Sequence, residues 1–381
     1  MLILLKICVF LLNVVYFFIK LFPVQNKITM ISRQSNNTPV DFELLKKELD
    51  KDNKYKIVIL THKLSPGIMN KIKYMFHMLR QMYELSTSKV VILDSYCICV
   101  SVLKHKKGLK VIQMWHAMGS LKRFGLSGLD SNVKTSALKK QMDIDKKRKL
   151  SKIMKMHNNY DYFLVSAESA VNPFSEAFGT DKSKAVINPL PVVDLLLDDN
   201  YKNSKEKEIK DYYPSMKDKK NIVYVPTFRE EENEDEIQKL INNINYKKYN
   251  LIIKLHPLTK LSKFDDRVIW DKKYSSRDMM IASDYIITDY SAIVYEASLL
   301  NKPIYFYIYD FDDYSKNRSF YIDYKKEMPG MMSKDSKDII SWIEKDRYDL
   351  KKTKAFSKKT INLTKDSCTN RLVNFIYSIC K

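Results

Sequence analysis

Val111-Ile112-Gln113-Met114-Trp115-His116-Ala117-Met118-Gly119-Ser120-Leu121-Lys122-Arg123-Phe124-Gly125 is a β-branched strand that runs directly into a histidine, two glycines and a cationic pair. Lys254-Leu255-His256-Pro257 and Thr288-Asp289-Tyr290-Ser291 repeat the design, with polar groups where a buried apolar run stops. In open α/β sheets, ligands bind at the carboxyl ends of the strands. The pattern therefore predicts an enzyme with its chemistry in a cleft.

Outward from this stretch, Lys56–Thr61, Val90–Leu93, Lys110–Gln113, Tyr162–Val165 and Ala185–Asn188 read as strands. Helical spacing runs from Gly67 to Leu85, from Asn132 to His157 and from Ala170 to Phe178. Between Asp198 and Lys220 the composition turns to Lys, Asp, Asn and Tyr without clear periodicity, which marks the expected boundary. The alternation then restarts, with strands at Asn221–Val225, Leu251–Lys254, Tyr285–Thr288 and Pro303–Tyr307. Helical patterns near Glu234–Asn243, Arg277–Ala282 and Ala292–Leu300 lie between them. Strand–helix alternation on both sides of a linker predicts two parallel-sheet domains facing each other across a cleft. The expected limits are 27–197 and 198–381, after an apolar segment at 1–26.

That segment, Leu2 to Phe22, is interrupted only by Lys6, Asn13 and Lys20, and is about long enough to span a bilayer. It reads as a transmembrane anchor, an interfacial helix or an element docked on the protein. The interfacial reading is preferred, because both lysines can snorkel and the chain is strongly basic, with a formal charge of +21. Such a charge draws the protein to anionic lipid, nucleic acid or phosphorylated substrates. The lysines are dispersed and no RNA- or DNA-binding module is present, so no nucleic-acid partner is expected.

Glycine is scarce, at 7 residues, and neither GxGxxG nor GxxxxGK[ST] occurs. Phosphates must then be held by helix N-termini and side chains. The five cysteines lack the spacing of a metal site, so free thiols and no metal are expected, with Cys97 and Cys99 in the core.

Three strand ends carry candidate chemistry. His116 follows a buried strand and precedes a glycine turn, and its unperturbed pKa suits proton abstraction near neutrality. Pro226 stops the strand Tyr224-Val225, so that Thr227 and Arg229 project from its edge; Thr227 suits an oxyanion, and Arg229 a phosphate or a nearby carboxylate. Strand alternation delivers Lys254 and His256 to one side. Ser291 precedes a helical run containing Glu296, where capping alone would account for the serine.

Trp115 to Gly125, Tyr224 to Arg229, Lys254 to Pro257 and Ile287 to Ser291 resemble, in order and spacing, the CDP-glycerol glycerophosphotransferases of teichoic acid synthesis, among them most closely the glycerol-phosphate primases. The resemblance implies a GT-B-like α/β fold of two Rossmann-like domains on the cytoplasmic face of the cell membrane, with no cofactor. It implies transfer of glycerol phosphate from CDP-glycerol to a lipid-linked disaccharide, with release of CMP. His116 would be the base, and His256 would stabilise or protonate phosphate oxygens. Donor contacts would fall on Ala117, Met118, Gly119, Ser120, Pro226, Thr227, Lys254, Leu255, Ser291, Ala292 and Glu296, with Arg229 as a further cation. A CDP-ribitol donor, a polymerising enzyme and a nucleotide-sugar transferase are the competing readings.

Overall fold

The computed structural model describes residues 2–64, 67–129, 138–229, 233–256, 259 and 265–380, the side chains at 138–141, 143 and 317 excepted. The chain divides into two compact units, one of residues 1–192 with 362–381 and the other of residues 193–361. Each is built on a six-stranded parallel sheet.

In the first unit the strands are β1 (Lys27–Ser32), β2 (Lys56–Thr61), β3 (Val90–Leu93), β4 (Lys110–Gln113), β5 (Tyr162–Val165) and β6 (Ala185–Ile187), in the order β2-β1-β3-β4-β5-β6. The expected strands are all present. The inner strand β1, between β2 and β3, carries Lys27, Thr29 and Ser32 among its apolar residues, which hides it from an apolar-run search although every residue is buried. Lys27 is tolerated there because its ammonium donates to Glu84 and Thr87. Helices α1 (Leu2–Ile19), α2 (Val40–Leu49) and α3 (Ile68–Thr87) belong to this unit.

The second unit holds β7 (Lys220–Val225), β8 (Tyr249–Ile253), β9 (Ile269–Trp270), β10 (Tyr285–Thr288), β11 (Ile304–Tyr307) and β12 (Met331–Ser333), in the order β12-β11-β10-β7-β8-β9. Strands β10 and β11 are buried along their whole length, as expected where both faces of a parallel sheet are covered.

Several boundaries differ from expectation. The stretch after Asp198 is a helix of the second unit, Asp199–Tyr212, capped by the Asp198 carboxylate. It is polar nearly all round, with only Ile209 buried, and is laced by the pairs Lys202–Asp199, Lys205–Glu208, Lys207–Asp211 and Lys210–Glu206. Such a helix has no apolar stripe to read. The division falls at 192/193, where the sequence pattern placed it at 197/198. Residues 362–381 return to the first unit, where Asn362 donates to the Ser166 carbonyl, the Asn188 amide donates to the Cys368 carbonyl and the helix Cys368–Ile379 packs on α2. The lysine-rich helix runs from Leu138 to Ile153. Lys155, His157 and Asn159 take φ values of +45°, +63° and +67°, so it stops short of His157; residues 132–137 of that expectation lie outside the described residues.

Candidate functional site

Strand order reverses between β1 and β3 in the first sheet and between β7 and β10 in the second, the places where open α/β sheets leave a crevice. The first crevice is bounded by Arg33 beyond β1 and Asp94-Ser95 beyond β3, joined by a bond from the Arg33 amide to Ser95 Oγ (3.3 Å). His116 stands beyond β4, the next strand along.

Its orientation follows from a chain of buried polar contacts. The Gln113 carboxamide, fully buried, accepts from the Trp115 amide (2.9 Å) and donates to the Ser95 carbonyl (3.2 Å) and Tyr160 hydroxyl (3.0 Å). These bonds hold Trp115 at φ +62°, in the left-handed region that a bulky residue rarely enters. The Trp115 indole then lies against the His116 ring, 4.3 Å between centroids, and is backed by Phe124 and Phe178. Gly125, with φ +54°, admits no side chain, since a Cβ there would meet the Ala177 carbonyl oxygen at 2.4 Å.

His116 Nδ1 lies 2.8 Å from the Asp94 backbone carbonyl. A carbonyl only accepts, so Nδ1 carries the hydrogen and Nε2 keeps its lone pair. The Gln34 amide lies 3.2 Å from the same nitrogen. Desolvation holds the imidazole below its ordinary pKa, opposed by the Asp94 hydrogen bond and carboxylate. It is therefore neutral at pH 7. Asp94 is itself buried, which raises its pKa, and Oδ1 has no hydrogen-bond partner. Sequence reading missed Asp94, Gln34 and Gln113, whose residue types carry no signal without the fold. In the following turn Met118 and Gly119 are buried, Ala117 and Ser120 are half-buried, and Ser120 Oγ donates to the Lys122 carbonyl (2.5 Å).

In the second unit, β10, β7 and β8 are neighbours, so their carboxyl ends bring Ser291, Thr227 and His256 to one edge. Asp289, fully buried, accepts from the Thr227 amide (2.7 Å) and from Arg229 Nη1 (2.8 Å). Arg229 also grips Asp310 through Nε (2.9 Å) and Nη2 (3.1 Å), with the rings of Tyr290, Tyr309 and Tyr314 around it. Burial works against its charge, but Asp289 and Asp310 outweigh this and raise its pKa. Lys254 is buried and paired with Asp271 (2.8 Å), and Glu296 is paired with Arg277 (2.6 Å). Arg229 thus takes the carboxylate partner that the sequence reading allowed beside a phosphate, and Lys254, expected as a donor contact, is neutralised by a carboxylate as well. Thr227 Oγ1 is buried without a partner, Pro226 is buried and Leu255 half-buried. The His256 ring is exposed and lies 5.3 Å from Phe228; Pro257 lies outside the described residues. The helix expected from Ala292 to Leu300 is only Ile293–Ala297. Ser291 Oγ accepts weakly from the Ile293 amide (3.4 Å), and Ala292 has no capping side chain. Among the described residues no cluster of His, Cys, Asp and Glu could hold a metal ion.

Two parallel-sheet units, with a neutral imidazole at one carboxyl edge and hydroxyl and imidazole groups at the other, define a GT-B-like group-transfer enzyme. The chain belongs to the CDP-glycerol:poly(glycerophosphate) glycerophosphotransferase family, whose model matches residues 14–378. It is 32% identical over 371 residues to the teichoic acid ribitol-phosphate primase of Bacillus spizizenii, covering 94% of this chain and 92% of that one. Against the teichoic acid glycerol-phosphate primase of Bacillus subtilis the identity is 30% over 313 residues, 80% of this chain and 77% of that one. The solved structure of the wall teichoic acid polymerase TagF shares the fold with a TM-score of 0.72 at 19% identity, covering 97% of this chain and 93% of that one.

Proposed function

We propose that this glycerophosphotransferase moves glycerol phosphate from CDP-glycerol to a hydroxyl of an undecaprenyl diphosphate-linked disaccharide at the cytoplasmic face of the cell membrane, as a teichoic acid primase. The observation that carries the reading is the 2.8 Å contact between His116 Nδ1 and the Asp94 carbonyl, which assigns the hydrogen to Nδ1. The acceptor oxygen attacks the β-phosphorus while its proton passes to His116 Nε2. The bond from that phosphorus to the bridging oxygen breaks, and CMP leaves with the electron pair. Phosphoryl transfer asks the protein mainly for positioning and charge stabilisation. His256 stabilises or protonates the phosphate oxygens. Ala117 to Ser120, Pro226, Thr227, Leu255, Ser291 and Ala292 contact the donor. Arg229, Lys254 and Glu296, each in an ion pair, hold the strand ends that carry these contacts.

A CDP-ribitol donor is the second reading, favoured by the 32% identity to a ribitol-phosphate primase. Mass analysis of the lipid-linked disaccharide after incubation with each CDP-polyol tests both. A single added glycerol phosphate is the expected product. A ribitol phosphate adduct would transfer the assignment to the second reading, a ladder would make the enzyme a polymerase, and no adduct with either donor would overturn both.

A further inference from the structure

The helix α1 is long and apolar enough to cross a membrane by length and composition. Yet one side of it is fastened to the first unit. Val9, Leu12, Tyr16 and Ile19, spaced three and four residues apart, pack on the core, and Tyr16 is fully buried. The Asn13 amide donates to the Val102 carbonyl (3.0 Å) and accepts from the Lys104 amide (3.0 Å). His105 Nε2 lies 2.7 Å from the Val100 carbonyl and so carries the hydrogen, which leaves Nδ1 to accept from the Tyr16 hydroxyl at 3.1 Å. A helix docked along its side in this way cannot stand across a bilayer alone.

A second apolar surface adjoins it. On α3, Ile68, Ile72, Met75, Phe76, Leu79 and Tyr83 are exposed, Ile68 at 79% and Phe76 at 62%. Their spacing of 4, 3, 1, 3 and 4 residues places them on one helical face, away from the buried Tyr74 and Gln81. The two surfaces are continuous, because α1 packs on α3 and the Phe22 ring, just beyond α1, meets Tyr83 at 5.4 Å. Exposed cations flank them: Lys6 on α1, and Lys71, Lys73 and Arg80 on α3. Neither helix exposes a carboxylate, since α1 has none and Glu84 of α3 is buried against Lys27.

We infer that α1 and the outer face of α3 form one membrane-inserting platform, lying in the plane of an anionic bilayer with its lysines and arginine at headgroup level. Apolar residues bounded by cations, with no acid, match a leaflet of acyl chains under anionic headgroups. The platform adjoins the chemistry. His77 on α3 stacks on His62 beyond β2 (4.9 Å), and Arg33 beyond β1 lies over Tyr74 of α3 (5.7 Å), at the same sheet edge as His116. The inference deepens the proposed use of a membrane-bound acceptor, but binding is measured without donor or acceptor, so either can fail alone.

The test uses the full chain with vesicles of phosphatidylcholine and phosphatidylglycerol at 3:1. Cys8 is the one exposed cysteine among the described residues and takes an environment-sensitive fluorophore; Phe76→Trp provides a reporter on α3. Both probes are expected to shift to the blue and to be quenched by lipids brominated in the acyl chain. The pair Ile72→Asp with Phe76→Asp is expected to weaken vesicle binding by about tenfold or more with an unchanged melting temperature. Vesicle binding through Cys8 with no response at Phe76→Trp would overturn the paired platform. So would a lipid-free dimer that the double variant abolishes, since the face would then belong to a second copy.

Discussion

The two sheet edges treat charge in opposite ways. In the first unit the group at the edge is a neutral imidazole, held by a backbone carbonyl and an indole, with Nε2 left for an incoming proton. In the second unit the cations that the sequence displays, Arg229 and Lys254, are closed off by Asp289, Asp310 and Asp271. Proton transfer needs an uncommitted lone pair, whereas a rigid cradle for a charged donor needs strand ends that do not move. The contrast therefore separates an edge with an uncommitted lone pair from one whose cations are locked in ion pairs, and substitutions of His116 and of those cations should fail differently.

The largest effect is expected at His116. His116→Ala should lower kcat by about 10²–10⁴ with the melting temperature and CDP-glycerol affinity unchanged, measured by CMP release and calorimetry. Arg229→Met should do the reverse. It leaves the carboxylates of Asp289 and Asp310 uncompensated, so denaturant titration should show a loss of roughly 3–5 kcal/mol. Equal stability losses in the two variants would erase the distinction between the edges.

Gln113→Leu should fall between them. It removes the bonds that hold Trp115 at positive φ, so stability should drop by about 1–3 kcal/mol. Turnover should fall about tenfold with the donor KM unchanged, because the His116 ring loses its backing. A KM effect alone would contradict a positioning role.

Acid should separate the units more gently. His77 and His157, both in the first unit, are lowered by burial from the ordinary 6.5 to about 4. Both are neutral in the folded state above that value, so their stabilising contribution is complete above pH 6.5 and disappears as pH falls through 4. Their linkage slope is at most about 1.4 kcal/mol per pH unit for each ring. The second unit has the single histidine His256, and its most depressed carboxylates, Asp211 beside Lys207 and Lys217 and Asp265 beside Arg267, are held well below the ordinary range and keep their charge throughout that window. Pulse hydrogen exchange in urea at pH 7 and pH 5 should show the first unit weakening first. The opposite order would break the assignment.

Much of this was legible before the fold was known. The run Val111–Gln113 ending in Trp115-His116 announced a strand edge, and Thr227, His256 and Ser291 lie at neighbouring strand ends as their patterns required. What stayed hidden has physical causes. The helix Asp199–Tyr212 buries only Ile209, so it looked like a linker. The inner strand β1 carries a buried lysine whose partner lies 57 positions away. The neutralisation of Arg229 depends on Asp310, 81 positions on, and of Lys254 on Asp271, pairings that only tertiary structure creates. The tautomer of His116 depends on a backbone carbonyl, and a backbone atom leaves no trace in residue type.

The most direct measurement is a long-range proton–nitrogen NMR spectrum of the chain labelled in histidine, at a pH above 7, with His116 assigned by its absence in His116→Gln. A hydrogen on Nδ1 and a bare, pyridine-like Nε2 is the predicted pattern. A hydrogen on Nε2, or an imidazolium at that pH, would leave no base at the first edge and contradict the mechanism.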